Sequence, residues 1–147
     1  MTDFDASLPM VLYRALDGVM PMYRALFARH GLTEQQWRVL RVIWTDRNVT
    51  SRALSARTLI SPPSLVSIID RLEAKGLVTR VRSVSDRRAV HVVATAEGRA
   101  LQERIMPEVA RIDAELRERV SANEWAAMAA TLERLATPRD EAHEQVA

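Results

Sequence analysis

The stretch Ser61-Pro62-Pro63-Ser64-Leu65-Val66-Ser67-Ile68-Ile69-Asp70-Arg71-Leu72-Glu73-Ala74-Lys75-Gly76-Leu77-Val78-Thr79-Arg80-Val81-Arg82 decides the fold. Two prolines after a serine suit the first positions of a helix, where the backbone N–H has no intrahelical partner to lose. At about 100° per residue, Leu65, Ile68, Ile69 and Leu72 then share one side, and Pro63, Ser67, Asp70 and Ala74 lie opposite. Ser64, Val66 and Arg71 flank them. Gly76, after Lys75, is a helix stop. Beyond it the period changes. Leu77 to Arg82 and Ala89 to Ala94 are rich in Val and Thr, and the polar segment 83–88 joins them as a β-hairpin.

Working back along the chain, Ser51 is expected to cap a short helix through Thr58, with Ala53 and Leu54 facing inward. Thr33-Glu34-Gln35-Gln36 forms a capping box ahead of Trp37, Leu40, Val42, Ile43 and Trp44, so a helix covers 34–45. Leu12, Leu16, Val19, Tyr23 and Leu26 recur at helical steps from Leu8 to about His30. Ser7 caps this first helix, Pro9 fits its first turn, Gly31 ends it, and Pro21 predicts a kink near Gly18. Forward from the hairpin, Thr95 caps a long helix over 96–120 carrying Leu101, Ile105, Val109, Ile112, Leu116 and Val120, with a bend at Pro107. Ser121-Ala122-Asn123-Glu124 is a second capping box, opening a last helix with Trp125, Met128, Leu132 and Leu135 on one face. The tail over 137–147 is polar and expected to fray. The order is four helices, two strands and two helices. This is a mainly α chain with a small β-hairpin wing: a winged helix-turn-helix over 34–94, with terminal helices at 8–30 and 96–136.

Composition narrows the chemistry. The 147 residues contain no cysteine, which excludes disulfides, thiolate metal sites and thiol redox sensing. His30, His91 and His143 show no ligand spacing, so neither a metal nor another cofactor is expected. Apolar runs are short and interrupted by Arg, so no membrane span is expected, and the start of the chain lacks the pattern of a leader. A cytoplasmic location is the default. No nucleophile–base pair, carboxylate pair or phosphate loop supports an enzyme. Net charge is only +2, but residues 47–91 hold nine basic residues against Asp70, Glu73 and Asp86, while the flanking segments are neutral and acidic. A basic centre is the footprint of a polyanion partner, and the helix and hairpin taken next make double-stranded DNA the expected one.

The exposed side of the 62–74 helix is small and hydroxylated, which lets it enter a major groove, with Ser61, Pro63, Ser64, Ser67 and Arg71 as candidate contacts. Plain capping is the other use of such serines. Arg80, Arg82, Arg87 and Arg88 lie on or beside the hairpin turn. A protruding turn can place a guanidinium in the minor groove, with Asp86 holding one Arg extended by a charge-assisted hydrogen bond. A solvated charged turn is the other reading.

These motifs resemble those of a known family. Gly31-Leu32-Thr33 with Gln36-Trp37, Leu59 to Val66, Asp70 to Val78, Asp86-Arg87-Arg88 and Thr95-Ala96-Glu97-Gly98 are similar to the MarR family of bacterial transcription regulators, across almost the whole chain. The resemblance implies a homodimeric repressor whose terminal helices form the dimer interface, with Ser61–Lys75 as recognition helix and 77–94 as wing. One departure is that Ser83-Val84 stands where the family wing often has Asp-Pro. The segments Leu8-Pro9-Met10 and Glu34-Gln35-Gln36-Trp37-Arg38 resemble the branch that answers to aromatic carboxylic acids or their thioesters. In that branch Arg14 stands where an Arg holds the ligand carboxylate, and Tyr13, Met22, Phe27, Trp37 and Arg38 are candidate pocket residues. An interface role for Arg14 and a packing role for Trp37 stay open beside this. A DNA-binding or architectural protein without a ligand is the alternative function, and a winged helix used only for protein contacts is another.

Overall fold

The computed structural model describes residues 7–86 and 88–137. Arg87 and the tail from Pro138 onward lie outside the described residues. The chain forms two compact units, one running to Ala110 and the other starting at Arg111.

The first unit holds α1 (Leu8–Arg29), α2 (Glu34–Thr45), β1 (Val49–Thr50), α3 (Ser51–Thr58), α4 (Pro62–Ala74), β2 (Val78–Arg82), β3 (Val90–Ala94) and the greater part of α5 (Ala96–Arg117). α1 is continuous across Pro21. The proline ring removes the N–H that the Asp17 carbonyl would accept, but both residues are exposed, where water can replace it. Ser7 takes the N-cap position without a side-chain cap bond. α2 begins as expected: Thr33 Oγ1 accepts from Gln36 N at 3.2 Å and Gln36 Oε1 accepts from Thr33 N at 3.2 Å.

Two features differ from the sequence reading. Val49 and Thr50 form a third strand, pairing antiparallel with Val92 and His91, and the sheet order is β1-β3-β2. The helix cap is therefore Thr50, whose Oγ1 accepts from Ala53 N at 3.1 Å, and Ser51 is the first helical residue. A two-residue strand has no alternation to read; only its pairing makes it one. The turn between α3 and α4 runs through Leu59 in the left-handed region, φ 56°. Ser55 Oγ donates across that turn to the Ile60 carbonyl at 2.6 Å.

Leu65, Ile68, Ile69 and Leu72 of α4 are all buried, against a core that includes Leu40, Ile43, Leu54, Val78 and Val92. Truncating one such side chain to Ala costs roughly 2–5 kcal/mol. α4 ends at Gly76, φ 71°, where the Gly76 and Leu77 N–H groups bond back to the carbonyls of Glu73 and Leu72. This closure needs a left-handed residue, hence glycine. The chain then enters β2. At the far end of the hairpin, Thr95 Oγ1 accepts from Gly98 N at 3.0 Å and donates to the Gly76 carbonyl at 2.5 Å. Gly98 lies so close to Leu77 that a Cβ would meet the Leu77 carbonyl oxygen at 2.0 Å. Trp44 Nε1 donates to the Gly98 carbonyl at 3.1 Å. Farther along α5, which is continuous across Pro107, Leu101, Ile105 and Val109 are buried. The Glu108 carboxylate meets His30 Nε2 at 2.8 Å and also pairs with Arg29.

In the second unit α5 ends at Arg117, short of the expected 120, and Val120 is exposed. Ser121 caps α6 (Ala122–Ala136) in a capping box with Glu124, as expected. The Arg117 guanidinium lies 5.2 Å over the Trp125 ring. No α6 residue is buried, and Met128, Leu132 and Leu135 are exposed.

Two outcomes follow from this packing. Gly98→Ala forces backbone apart and should destabilise the fold by about 3 kcal/mol or more, measured by denaturant unfolding; a change under about 1 kcal/mol would contradict the close approach. The His30 hydrogen bond, opposed by burial and aided by Arg29, holds the Glu108 pKa below its ordinary 4.5. A depressed carboxylate contributes stability above its unfolded pKa and loses it as pH falls through the lowered value. The melting-temperature gap between wild type and Glu108→Gln should therefore be open at about pH 6 and close as pH falls below the ordinary carboxylate range. A gap independent of pH would contradict it.

Candidate nucleic-acid interface

On α4 the residues opposite the buried stripe are exposed: Pro63, Ser64, Ser67, Asp70 and Ala74, with Arg71 and Val66 beside them. The capping use of the serines is not what the geometry offers. Ser61 makes no side-chain cap bond; its Oγ donates instead to Ser64 Oγ at 3.0 Å. The Ser67 side chain has no hydrogen-bond partner among the described residues, leaving its hydroxyl and the Val66 methyls open on a narrow face. Such a face suits base edges and thymine methyls in a major groove about 12 Å wide.

The wing is built from β2 and β3, in register from Val78 opposite Ala94 to Arg82 opposite Val90. Its tip closes by backbone bonds from Ser83 N to the Ala89 carbonyl and from Ala89 N to the Asp86 carbonyl, both 3.0 Å. Ser83 Oγ accepts from Asp86 N at 3.2 Å. That hydroxyl bond organises the turn where the family's Asp-Pro is missing. The Asp86 carboxylate accepts from the Arg88 backbone N–H at 3.0 Å. It thus orients the tip through main chain, where a guanidinium was expected. Arg82 and Arg88 are exposed. Arg87, the third expected wing cation, lies outside the described residues.

Arg80 makes contacts that the sequence reading did not include. Its guanidinium turns back onto α4, pairing with Asp70 at 2.6 Å and Glu73 at 2.5 Å, and its backbone N–H donates to Glu73 at 3.2 Å. Burial works against the charged form, but the two carboxylates outweigh it and hold the pKa above the ordinary arginine value. A strand residue with an inward lean and two acids one helical turn apart makes this pairing favourable, and the sequence showed only a basic residue near a turn. Arg80 therefore cancels two acids on or beside the exposed helix face.

The candidate pocket residues divide. Phe27 is buried and stacks on Trp37, centroids 4.7 Å apart at 22°. Trp37 also meets Trp44 edge-on at 5.7 Å. Met22 and Trp37 are half-buried, and Arg38 has its Nε buried with no hydrogen-bond partner. Arg41, not anticipated from the sequence, lies 5.6 Å over the Trp37 ring; its place four residues after Trp37 on α2 was the available signal. Tyr13 and Arg14 are exposed on the same helix as Phe27 but about 20 Å away along its axis, at 1.5 Å per residue. The chain by itself does not bring them to the aromatic pair.

A family model described as "MarR family" matches residues 30–89. The homoprotocatechuate degradative operon repressor of Escherichia coli is 36% identical over 103 residues, 70% of this chain and 70% of that protein. Among solved structures, NadR in complex with 4-hydroxyphenylacetate aligns with a TM-score of 0.83 at 29% identity, over 95% of this chain and 99% of that one. The repressor CouR bound to a 23-mer DNA duplex aligns with a TM-score of 0.84 at 29% identity, over 93% and 97%.

The Arg80 geometry has a direct test in duplex binding. Arg80→Ala uncovers Asp70 and Glu73 beside the phosphates and should weaken binding about tenfold or more, and adding Asp70→Asn and Glu73→Gln should restore most of the loss. A triple variant as weak as the single one would mean that Arg80 meets phosphate itself.

Proposed function

The chain belongs to the MarR family of transcription regulators, and we propose that it is a homodimeric repressor released from a pseudo-palindromic operator by a small aromatic carboxylic acid or its thioester. The family and the relatives named above are regulators of transcription and not enzymes. The observation that carries the DNA half of this reading is the narrow hydroxyl-and-methyl face of α4 beside a wing with exposed Arg82 and Arg88. In this reading α4 enters the major groove, with Ser61, Pro63, Ser64, Ser67 and Arg71 at base edges and backbone. The wing arginines, Arg87 among them, follow the minor groove, where the narrow walls strengthen the negative potential. A cytoplasmic location goes with this role; among the described residues no helix is long and apolar enough to cross a membrane.

Unpartnered apolar faces support the dimer. Leu8, Val11, Leu12 and Leu16 on α1, and Met128, Leu132 and Leu135 on α6, are all exposed. Helices of the 8–30 and 96–136 region that associate across a two-fold axis cover such faces and set two copies of α4 one DNA turn apart, about 34 Å.

The ligand half rests on the stacked Phe27–Trp37 pair, the Arg41 guanidinium over the Trp37 ring, and the buried, unsatisfied Nε of Arg38, the residue after Trp37 on α2. A flat apolar wall with guanidinium donors is what an aromatic carboxylate needs. Tyr13 and Arg14 join such a pocket only when the second protomer supplies them.

The test uses the purified full-length chain. Sedimentation should give a dimer at micromolar concentration, and the dimer should select a two-fold-related duplex from a random pool. Adding salicylate or 4-hydroxyphenylacetate should weaken that binding about 5–150-fold, the usual range of allosteric coupling. Binding that ignores both acids would reduce the reading to a DNA-binding regulator without this class of ligand. Arg88→Ala should lower the slope of log affinity against log salt by about one; an unchanged slope would remove Arg88 from the phosphate contacts.

A further inference from the structure

We propose that Lys75 is a positioning residue for DNA recognition: its ammonium fastens the C-terminal end of α4 to the turn between α1 and α2 and so sets the pose in which α4 meets the groove. This rests on the reading of α4 as the helix that enters DNA.

Lys75 is the single lysine of the chain; every other member of its 21 Lys and Arg residues is Arg. It caps α4, with its backbone N–H bonded to the Arg71 carbonyl at 3.1 Å. Its side chain leaves that helix. Nζ donates to the Gly31 carbonyl at 2.5 Å and to Gln36 Oε1 at 3.1 Å. Both acceptors belong to rigid places. Gly31 sits in the closure of α1, where Gly31 N and Leu32 N bond back to the Ala28 and Phe27 carbonyls. Gln36 is 3% exposed, and the same Oε1 closes the capping box at the start of α2.

One cation thus holds the ends of three helices. Two of those ends are C-terminal, where the helix dipole favours positive charge. An ammonium is compact and has three rotatable donors, so it can face two oxygens from different elements; a planar guanidinium fork cannot do so in the same space. The buried stripe of α4 resists separation from the core but is weakly directional. A hydrogen-bonded end fixes tilt and rotation. The groove-facing Ser64 and Ser67 lie about 12–16 Å up the helix from Lys75, so a tilt about the C-terminal end displaces them. The donors of Lys75 are turned to protein oxygens, which separates it from the cations that meet phosphate.

The test compares the full-length wild type with Lys75→Met on two duplexes, the one that wild type selects from a random pool and an unrelated one, across a salt series. A wild type that prefers no duplex would overturn the underlying reading, and this inference with it. Given that preference, Lys75→Met should bind the selected duplex about tenfold more weakly, bind the unrelated duplex as wild type does, and keep the wild-type salt slope. A slope lowered by about one on both duplexes makes Lys75 a phosphate contact, and an unchanged affinity for the selected duplex makes the tie irrelevant; either overturns the proposal. Gln36→Glu reads the same link from the other side, should Lys75→Met fail to fold. It keeps the capping acceptor and offers Lys75 a carboxylate, so affinity for the selected duplex should hold or rise, and a tenfold loss would overturn the tie.

Discussion

The close approach of Gly98 to the Leu77 carbonyl is the constraint on which the rest of the molecule depends. At that point α4 has just ended, the wing is beginning, and α5 is starting. Thr95 bonds to Gly76 from one side, and the Trp44 indole bonds to the Gly98 carbonyl from the other. Four elements therefore share one small volume of backbone. A side chain there would push α5 away from the root of the wing. With none, α4, hairpin and α5 form a single block, so the wing projects at a set angle from the helix beside it. Rigid placement of this kind is what lets two separate elements address adjacent grooves of one duplex.

The electrostatics refine the picture that charge counting suggests. The segment 47–91 carries nine basic residues, but they do different work. Arg80 neutralises Asp70 and Glu73, Lys75 holds carbonyl and amide oxygens, and Arg57 pairs with Asp46 at 3.3 Å. The exposed Arg71, Arg82 and Arg88 remain turned outward. The basic centre is thus partly a brace that neutralises acidic residues of α4. These pairs are all partly exposed, so their contribution lies in placing charge more than in stability.

Much of this was legible in the sequence, and the reasons are physical. The stripe Leu65, Ile68, Ile69 and Leu72 has one periodicity and one fate, burial, so α4 could be read directly. Thr33–Gln36 and Ser121–Glu124 are local four-residue devices, and both capping boxes form as read. What the sequence did not show is non-local. Thr50 rather than Ser51 caps α3 because Val49 and Thr50 pair with a strand some forty residues later. Arg80 points to α4 because two acids wait there, a fact of packing that no spacing rule contains. Tyr13 and Arg14 lie far from Phe27 along α1, a separation that follows from the rise of the helix and that only a second copy of the chain could bridge. The contacts of Lys75 have no sequence signal, since its partners, Gly31 and Gln36, lie 44 and 39 positions away.

Groove occupancy tests the central claim most directly. Dimethyl sulfate modifies guanine N7 in the major groove and adenine N3 in the minor groove, so one reagent on one bound duplex reports both. The account predicts guanine N7 protection in two half-sites about one helical turn apart, with adenine N3 protection beside each. Protection confined to one groove, or a single patch without two-fold spacing, would contradict it.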